Sequence, residues 1–426
     1  MRHSRRWGAL AVLAALAVLV PALPAGPAAA APAGAPGLRP ASTDPAVDAL
    51  LQARLADRRL GSNVGLLVLD AATGEIVSAV NPDQPMLPAS NMKVVTAVTA
   101  LAALGADRTL ATRVRQGPTP PEVVLEGGGD PLLTTADLEA MAGAVARALV
   151  GLPPEERITV RVDDDIFPPA TRGPGWTTGY IPSVAASVEA LARLWDYSRD
   201  PSANAAEVFA KALRKAGRKA RVGDPINVDP AAPVLAEVTS TVGDAVKIML
   251  RDSENNVAEV LFRQVAIATG QPATWRGARR AAVAVLASLG IDASGMRLSD
   301  GSGLSRTNRV SPRFLSAVLR TVRVTNPAPF AVMFDRYAMP VAGKTGTLSS
   351  RYGRFTTQQS RCAQGQVRAK TGTLFDTIGL SGIATTTAGA ERVFSILVND
   401  RPQRVSALST RQAVDGLTAT ITGCWS

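Results

Sequence analysis

Residues 88–104 read Pro88-Ala89-Ser90-Asn91-Met92-Lys93 and then VVTAVTALAAL to Leu104. Two prolines, Pro85 and Pro88, break the chain just before the stretch, and from Asn91 onward it is filled with Val, Thr, Ala and Leu. A helix that is apolar on nearly every side belongs in the middle of a core, so the pattern predicts a buried central helix from Asn91 to Leu104. Ser90 and Lys93 stand three residues apart and share one face of it. Ser90 lies at its N-terminus, where unpaired backbone N–H groups favour developing negative charge. A capping serine with a solvated lysine one turn on is the ordinary source of such a pair. The apolar surroundings of Lys93 argue otherwise, because a buried lysine loses part of its preference for the charged form and can accept a proton.

Composition narrows what that serine could be part of. The only histidine in 426 residues is His3, inside an N-terminal segment that reads as a removable signal. A Ser-His-Asp triad and a histidine-ligated metal site therefore lack their residues. Two separated cysteines, Cys362 and Cys424, cannot build a metal cluster either, and no cofactor is expected. Any nucleophile must be activated by Lys, Tyr, Asp or Glu.

The signal reading rests on Arg2, Arg5 and Arg6, the apolar run Trp7 to Val20, and small residues at Ala28 to Ala31. The run is shorter than the ~20 residues of a membrane span. Residues 1–31 are expected to be a signal peptide and residues 32–43 a flexible lead-in rich in Pro, Ala and Gly. The mature chain is then secreted, extracytoplasmic, in a cell wall or periplasm-like space. The net charge of +11 falls to about +8 without the three signal arginines. No basic run interleaved with aromatics is present, so nucleic acid is not an expected partner; an anionic matrix suits the charge. In an oxidising compartment Cys362 and Cys424 can form a disulfide, two free buried thiols being the alternative. Oligomeric state leaves no readable mark.

Outward from the helix, Asp44 to Leu60 has helical spacing, and Val64 to Asp70 and Glu75 to Val80 read as two strands joined by a turn. Residues 106–184 change character: short strand-like runs (Glu122 to Leu125, Ile158 to Val162) and one helix near Thr135 to Leu149. They are expected to form an inserted α/β subdomain. Helical patterns return at Ala205 to Ala216, Val242 to Leu250 and Val257 to Ala268. Thr377 to Ala384 and Arg392 to Val398 are strand-like, and Ser406 to Ile421 is a final helix. The expected fold class is α/β (α+β), an antiparallel sheet flanked by helices, its main domain split into residues 44–105 and 185–426.

Two further elements carry polar groups suited to catalysis. Ser253-Glu254-Asn255 lies between helical patterns; its hydroxyl can pass a proton and its carboxamide can orient an amide. Ser202-Ala203-Asn204 has the same form but follows Asp200-Pro201 and is read as a plain N-cap. The pentapeptide Lys-Thr-Gly-Thr-Leu occurs twice, from Lys344 and from Lys370. It offers a cation and hydroxyls for a carboxylate, with a glycine that permits close backbone approach. The copy at Lys370, Thr371, Gly372, Thr373 leads into a strand and is expected to be the functional one; the copy at Lys344 runs into a loop.

Singly these motifs are weak, but the ordered set Ser-x-x-Lys, Ser-x-Asn, Lys-Thr-Gly is the signature of penicillin-binding proteins and class A β-lactamases. The chain resembles the low-molecular-mass class C penicillin-binding proteins, the D-alanyl-D-alanine carboxypeptidase/endopeptidase family. The resemblance is carried by residues 88–93, by Gly128-Gly129-Asp130-Pro131-Leu132 and by Gly173-Pro174-Gly175-Trp176. It continues through Asp252 to Glu259, Asp300-Gly301-Ser302-Gly303-Leu304-Ser305-Arg306, and Val367 to Leu374. That family often carries two insertions between its first two motifs. Ser90 and Ser253 are 163 residues apart here, and the second insertion looks shortened or missing.

The resemblance implies a β-lactamase/transpeptidase-like fold and a secreted serine carboxypeptidase acting on peptidoglycan peptides, with β-lactam antibiotics as covalent inhibitors. By the same resemblance Ser90 is the nucleophile, Lys93 its base and Ser253 a proton relay. Asn255 and Lys370 hold substrate, Thr371 and Thr373 bind the terminal carboxylate, and the N–H groups of Ser90 and Thr373 form the oxyanion hole. D,D-endopeptidase action is a companion expectation. A β-lactamase or esterase on the same fold is the alternative, and an inactive wall-binding scaffold is the alternative of another class. No Glu-x-x-Leu-Asn element is present, and none of the four tyrosines has Asn two residues on.

Overall fold

Alternate side chains of Val64 to Leu69 enter two different cores. Val64, Leu66 and Val68 join one cluster, Leu67 and Leu69 the other, as the two-residue period of a strand buried on both faces requires. This computed structural model describes residues 42–169 and 172–425, so the expected signal and most of the lead-in lie outside the described residues. Ser42 and Thr43, counted with the lead-in, in fact dock on the chain: the Ser42 hydroxyl and the Thr43 N–H donate to the carbonyls of Val77 and Ile76.

In chain order, α1 (Pro45–Arg54) starts at an Asp44 cap and leads to β1 (Asn63–Asp70) and β2 (Ile76–Val80). The motif helix is α2 (Met92–Leu104), entered through a 3-10 turn at Ala89–Asn91. Next come β3 (Thr109–Gln116), β4 (Glu122–Gly127), α3 (Thr135–Ala148) and β5 (Arg157–Asp163). The one-turn α4 (Tyr180–Ser183), α5 (Pro201–Lys215), β6 (Lys219–Val222) and β7 (Val234–Thr241) follow. Four helices succeed them: α6 (Val242–Asp252), α7 (Asn255–Ala268), α8 (Trp275–Ser288) and α9 (Pro312–Arg320). The chain closes with β8 (Val367–Leu374), β9 (Thr377–Thr385), β10 (Glu391–Asn399) and α10 (Ala407–Ile421).

The first sheet has the order β2-β1-β10-β9-β8, every pair antiparallel. One face packs on α2 and α6 to α9, the other on α1 and α10. Met92 to Leu101 of α2 are all buried, Lys93 included. This is the expected antiparallel sheet flanked by helices.

The second sheet, β6-β5-β4-β3-β7, corrects the reading of the insertion. Its closing strands and α5 lie beyond residue 184, and β7 pairs with β3 from Thr109 opposite Thr241. The N–H of Gly243 donates to the carbonyl of Ala106 at 2.8 Å, so the chain leaves and re-enters the main body at neighbouring points. One face of this sheet is covered by α3 and α5. The other is polar, with Arg115 paired to Glu126 and Arg161 to Glu122 across it. Strands β6 and β7 carry no buried residue, and β6, only four residues long, is too short for its alternation to stand out in sequence.

Candidate active site

The turn ahead of α2 presents Ser90 because Ala89 takes a left-handed conformation, φ +47°, which costs a non-glycine residue about 1–3 kcal/mol. Ser253, ending α6, is likewise left-handed at φ +60°. Strand β8 passes close to the first of these turns. A Cβ on Gly372 would come within 2.5 Å of Asn91 Nδ2 and 2.8 Å of the Pro88 carbonyl. The glycine of the Lys-Thr-Gly motif is thus required by contact between the strand and the serine turn.

Lys93, fully buried, donates from Nζ to Ser90 Oγ at 3.0 Å, to Asn255 Oδ1 at 2.7 Å and to the carbonyl of Ser302 at 2.8 Å. Burial lowers its pKa to about 8, while the carboxylates of Glu254, Asp300 and Glu259 oppose the fall. An amine so placed and so poised can take the hydroxyl proton of Ser90 near neutral pH. Lys370, also fully buried, donates to Ser253 Oγ at 2.9 Å and to the Thr371 carbonyl at 2.9 Å. Burial first, then the charges of Lys93 and Arg354, hold its pKa well below the usual lysine range. Asn255 Nδ2 donates to the Val184 carbonyl at 2.8 Å.

Ser90, Lys93, Ser253, Asn255, Lys370, Thr371, Gly372 and Thr373 therefore meet in one place. Two cavities join there, both lined by Ser90, Ser253 and Thr373. The larger, about 700 Å³, is walled by Val184, Leu304, Leu374 and Phe375. It also carries an Arg306–Asp376 pair with contacts of 2.7 and 2.6 Å. The smaller, about 260 Å³, is lined by Thr347, Tyr352, Arg354, Thr371 and Arg411. Among the described residues no cluster of three or more His, Cys, Asp or Glu is placed to hold a metal ion.

Other motif-like residues lie elsewhere. Ser202 is not the cap of α5: Asp200 is, accepting from the N–H of Ala203. The Ser202 hydroxyl instead donates to Asp164 at 2.5 Å and to the Leu191 carbonyl at 3.0 Å. Lys344 is exposed, yet its repeat contributes Thr347, whose hydroxyl pairs with that of Thr371 at 2.8 Å. Cys362 and Cys424 are bonded to each other, Cα–Cα 5.9 Å.

Sequence reasoning missed the support beneath Lys93. Glu259 Oε1 accepts from the N–H of Ser302 at 2.8 Å, and Trp275 Nε1 donates to Oε2 at 3.0 Å. Asp300 accepts from Trp176 Nε1, from the N–H of Gly303 and Ser305, and from Asn308 Nδ2, at 2.6–3.0 Å. Together they fix the loop whose Ser302 carbonyl holds Lys93. Burial, and then Asp300, raises the Glu259 pKa to about 7. The signal available was two carboxylates in otherwise apolar or glycine-rich segments.

Residues 47–190 and 177–421 match the D-Ala-D-Ala carboxypeptidase 3 (S13) family. The chain is 32% identical over 406 residues to carboxypeptidase DacB of Mycolicibacterium smegmatis, covering 90% of this chain and 85% of that protein. It is 29% identical to a D-alanyl-D-alanine carboxypeptidase of Actinomadura sp., covering 86% and 82%. Among solved structures, penicillin binding protein 4 of Haemophilus influenzae aligns with a TM-score of 0.72 at 23% identity, covering 89% of this chain and 98% of that one; this likeness speaks to the fold. With a family match spanning nearly all the described residues, the chain belongs to the S13 D-Ala-D-Ala carboxypeptidases, serine peptidases of the low-molecular-mass class C penicillin-binding type.

Proposed function

We propose that the mature chain is exported and hydrolyses peptidoglycan stem peptides through an acyl-enzyme on Ser90. The observation that carries this reading is the 3.0 Å contact between Lys93 Nζ and Ser90 Oγ at the junction of the two cavities. Ser90 Oγ attacks the carbonyl of the penultimate D-alanine while its proton passes to the free amine of Lys93. The N–H groups of Ser90 and Thr373 receive the oxyanion. As the C–N bond breaks, the departing nitrogen gains a proton through Ser253, the net transfer being the one that Lys93 took from Ser90. Water then cleaves the ester and restores the serine. Roughly a tenth of Lys93 is free amine at pH 7 when its pKa is about 8.

The acyl part of the substrate is assigned to the larger cavity and the leaving residue to the smaller. A cavity of about 700 Å³ gives room for the acyl side of a stem peptide, which carboxypeptidase and D,D-endopeptidase action have in common. β-Lactams, which acylate the same hydroxyl, are expected inhibitors. Export is supported by the basic, apolar and small-residue pattern of residues 1–31. The test is to incubate purified protein with uncross-linked and cross-linked wall peptides and score released D-alanine and split dimers. Absence of both products would sink the reading in favour of an inert scaffold, and rapid turnover of penicillin would favour a β-lactamase.

A further inference from the structure

Arg411 is a cation in the smaller cavity that neither the fold nor the two lysine–serine pairs use. It lies in the first turns of α10, four residues before Asp415, on the same face of that helix. Asp415 makes no ion pair with it. That carboxylate, wholly buried, is engaged by Arg354: Nη2 to Oδ1 at 2.6 Å and Nε to Oδ2 at 3.0 Å, with the N–H of Phe355 also donating at 3.0 Å. Asp415 is thus paired with Arg354, and Arg411 makes no ion pair with a carboxylate among the described residues. Its polar contact is a hydrogen bond from Nη2 to Thr373 Oγ1 at 3.2 Å. Burial first, and then the charges of Arg354 and Arg401, depress its pKa, and Asp415 opposes this only in part. A partly buried guanidinium facing like charges is costly unless an anion comes to it, and its flat fork of donors suits a carboxylate.

The reaction supplies such an anion at this spot. In a D-Ala-D-Ala terminus the carboxylate is attached to the α-carbon that bears the departing nitrogen. It must therefore lie beside the carbonyl that Ser90 attacks. Thr373 reaches both Ser90's cavity and Arg411. Because Thr373 Oγ accepts from Arg411, its own proton is free to point into the site. A cavity of about 260 Å³ holds a leaving residue of alanine's size.

We propose that Arg411 is a specificity-determining residue that receives the α-carboxylate of the leaving residue, together with Thr371 and Thr373, so that the enzyme requires this carboxyl to be free. The inference rests on Ser90 being the nucleophile. It extends to cross-links: a leaving residue whose corresponding carboxyl is amidated would be a poor substrate.

The test compares an acyl-D-Ala-D-Ala peptide with the same peptide ending in D-alaninamide, using the full-length protein, Arg411→Gln and Arg411→Lys. The unsubstituted enzyme should prefer the acid in kcat/KM by about 10²-fold. Arg411→Gln should lose most of that preference by slowing the acid and leaving the amide within about threefold, and Arg411→Lys should recover part of it. A preference that survives Arg411→Gln overturns the inference, as does an equal loss on both peptides, which is what a merely structural role would give. If Arg411→Gln fails to fold, the acid-to-amide ratio of Arg411→Lys decides, an unchanged ratio counting against the proposal. Release of D-alanine by the unsubstituted enzyme tests the catalytic reading separately, since its absence would bring down that reading and not the assignment of Arg411 alone.

Discussion

Asn255 Oδ1 lies 2.7 Å from Lys93 Nζ, closer than the same ammonium lies to the Ser90 hydroxyl. Lys93 is therefore aimed at Ser90 by α7 and by the Ser302 carbonyl, not by its own helix alone. Acylation needs the free amine, so the acylation rate should rise with pH through a midpoint near 8, where half of Lys93 has lost its proton, and level off at higher pH. The negative charge of Glu259 favours the protonated form. Glu259→Gln should therefore move the midpoint to lower pH, provided the loop stays in place. Stopped-flow acylation by a chromogenic cephalosporin from roughly two and a half pH units below to about one and a half above the midpoint of about 8 reads this out. A midpoint displaced upward would contradict the charge argument.

Ser90→Ala should abolish covalent labelling by a fluorescent penicillin while the thermal melt stays cooperative, since a half-buried hydroxyl is removed without opening the core. Lys93→Ala should slow labelling by about 10²–10⁴-fold. Label retained by the Ser90→Ala protein would assign the nucleophile to another residue.

The two Lys-Thr-Gly-Thr-Leu copies make a sharp contrast. Lys370 is fully buried and bonded to Ser253, so Lys370→Ala leaves a proton-relaying hydroxyl without its partner and should reduce turnover at least about 10²-fold. Lys344 is exposed, and Lys344→Ala should change turnover less than about threefold. Thr347→Val, which removes the hydroxyl paired with Thr371, should fall between them. Steady-state release of D-alanine by the three variants gives the ranking, and a larger loss at Lys344 than at Lys370 would reverse the assignment of the catalytic strand.

The parts of this fold that were legible are those in which local pattern and burial coincide. Residues 91–104 are apolar on all sides because α2 is surrounded, and β9 and β10 show as apolar runs because both their faces are covered. Strand β3 interleaves half-buried Arg113 and Arg115 with buried residues, and β6 and β7 carry no buried residue, so none of the three shows an apolar run. Arg113 pairs with Glu237 and Arg115 with Glu126 across strands, and the end of the insertion expected at residue 184 falls before its last strands. In the site, side chains held by short motifs were legible. Arg411, Arg354 and Thr347 reach the cavity only after α10 and the upstream repeat fold against β8, and no spacing in the chain encodes that.

The disulfide offers a prediction in which stability and activity should part. Cys362 and Cys424 are 62 residues apart, and the loop they close contains β8, β9, β10 and α10. Cross-linking such a loop restricts the unfolded chain and stabilises the fold by ~2–4 kcal/mol. Neither sulfur lines the two cavities at Ser90. The end of α10 also has other anchors, since Arg54 stacks 3.4 Å from the Trp425 ring and donates to the Trp425 carbonyl at 2.7 Å. The double variant Cys362→Ser, Cys424→Ser should therefore lose about 2–4 kcal/mol in denaturant unfolding. It should keep D-alanine release within about threefold at 25 °C, where the folded fraction stays near one for a typical stability margin. Thiol titration of the unfolded, unreduced protein should find no free cysteine. Two titrated thiols would show that the bond does not form, and a large activity loss in a still-folded double variant would show that the bond holds α10, and with it Arg411, against the active-site strand.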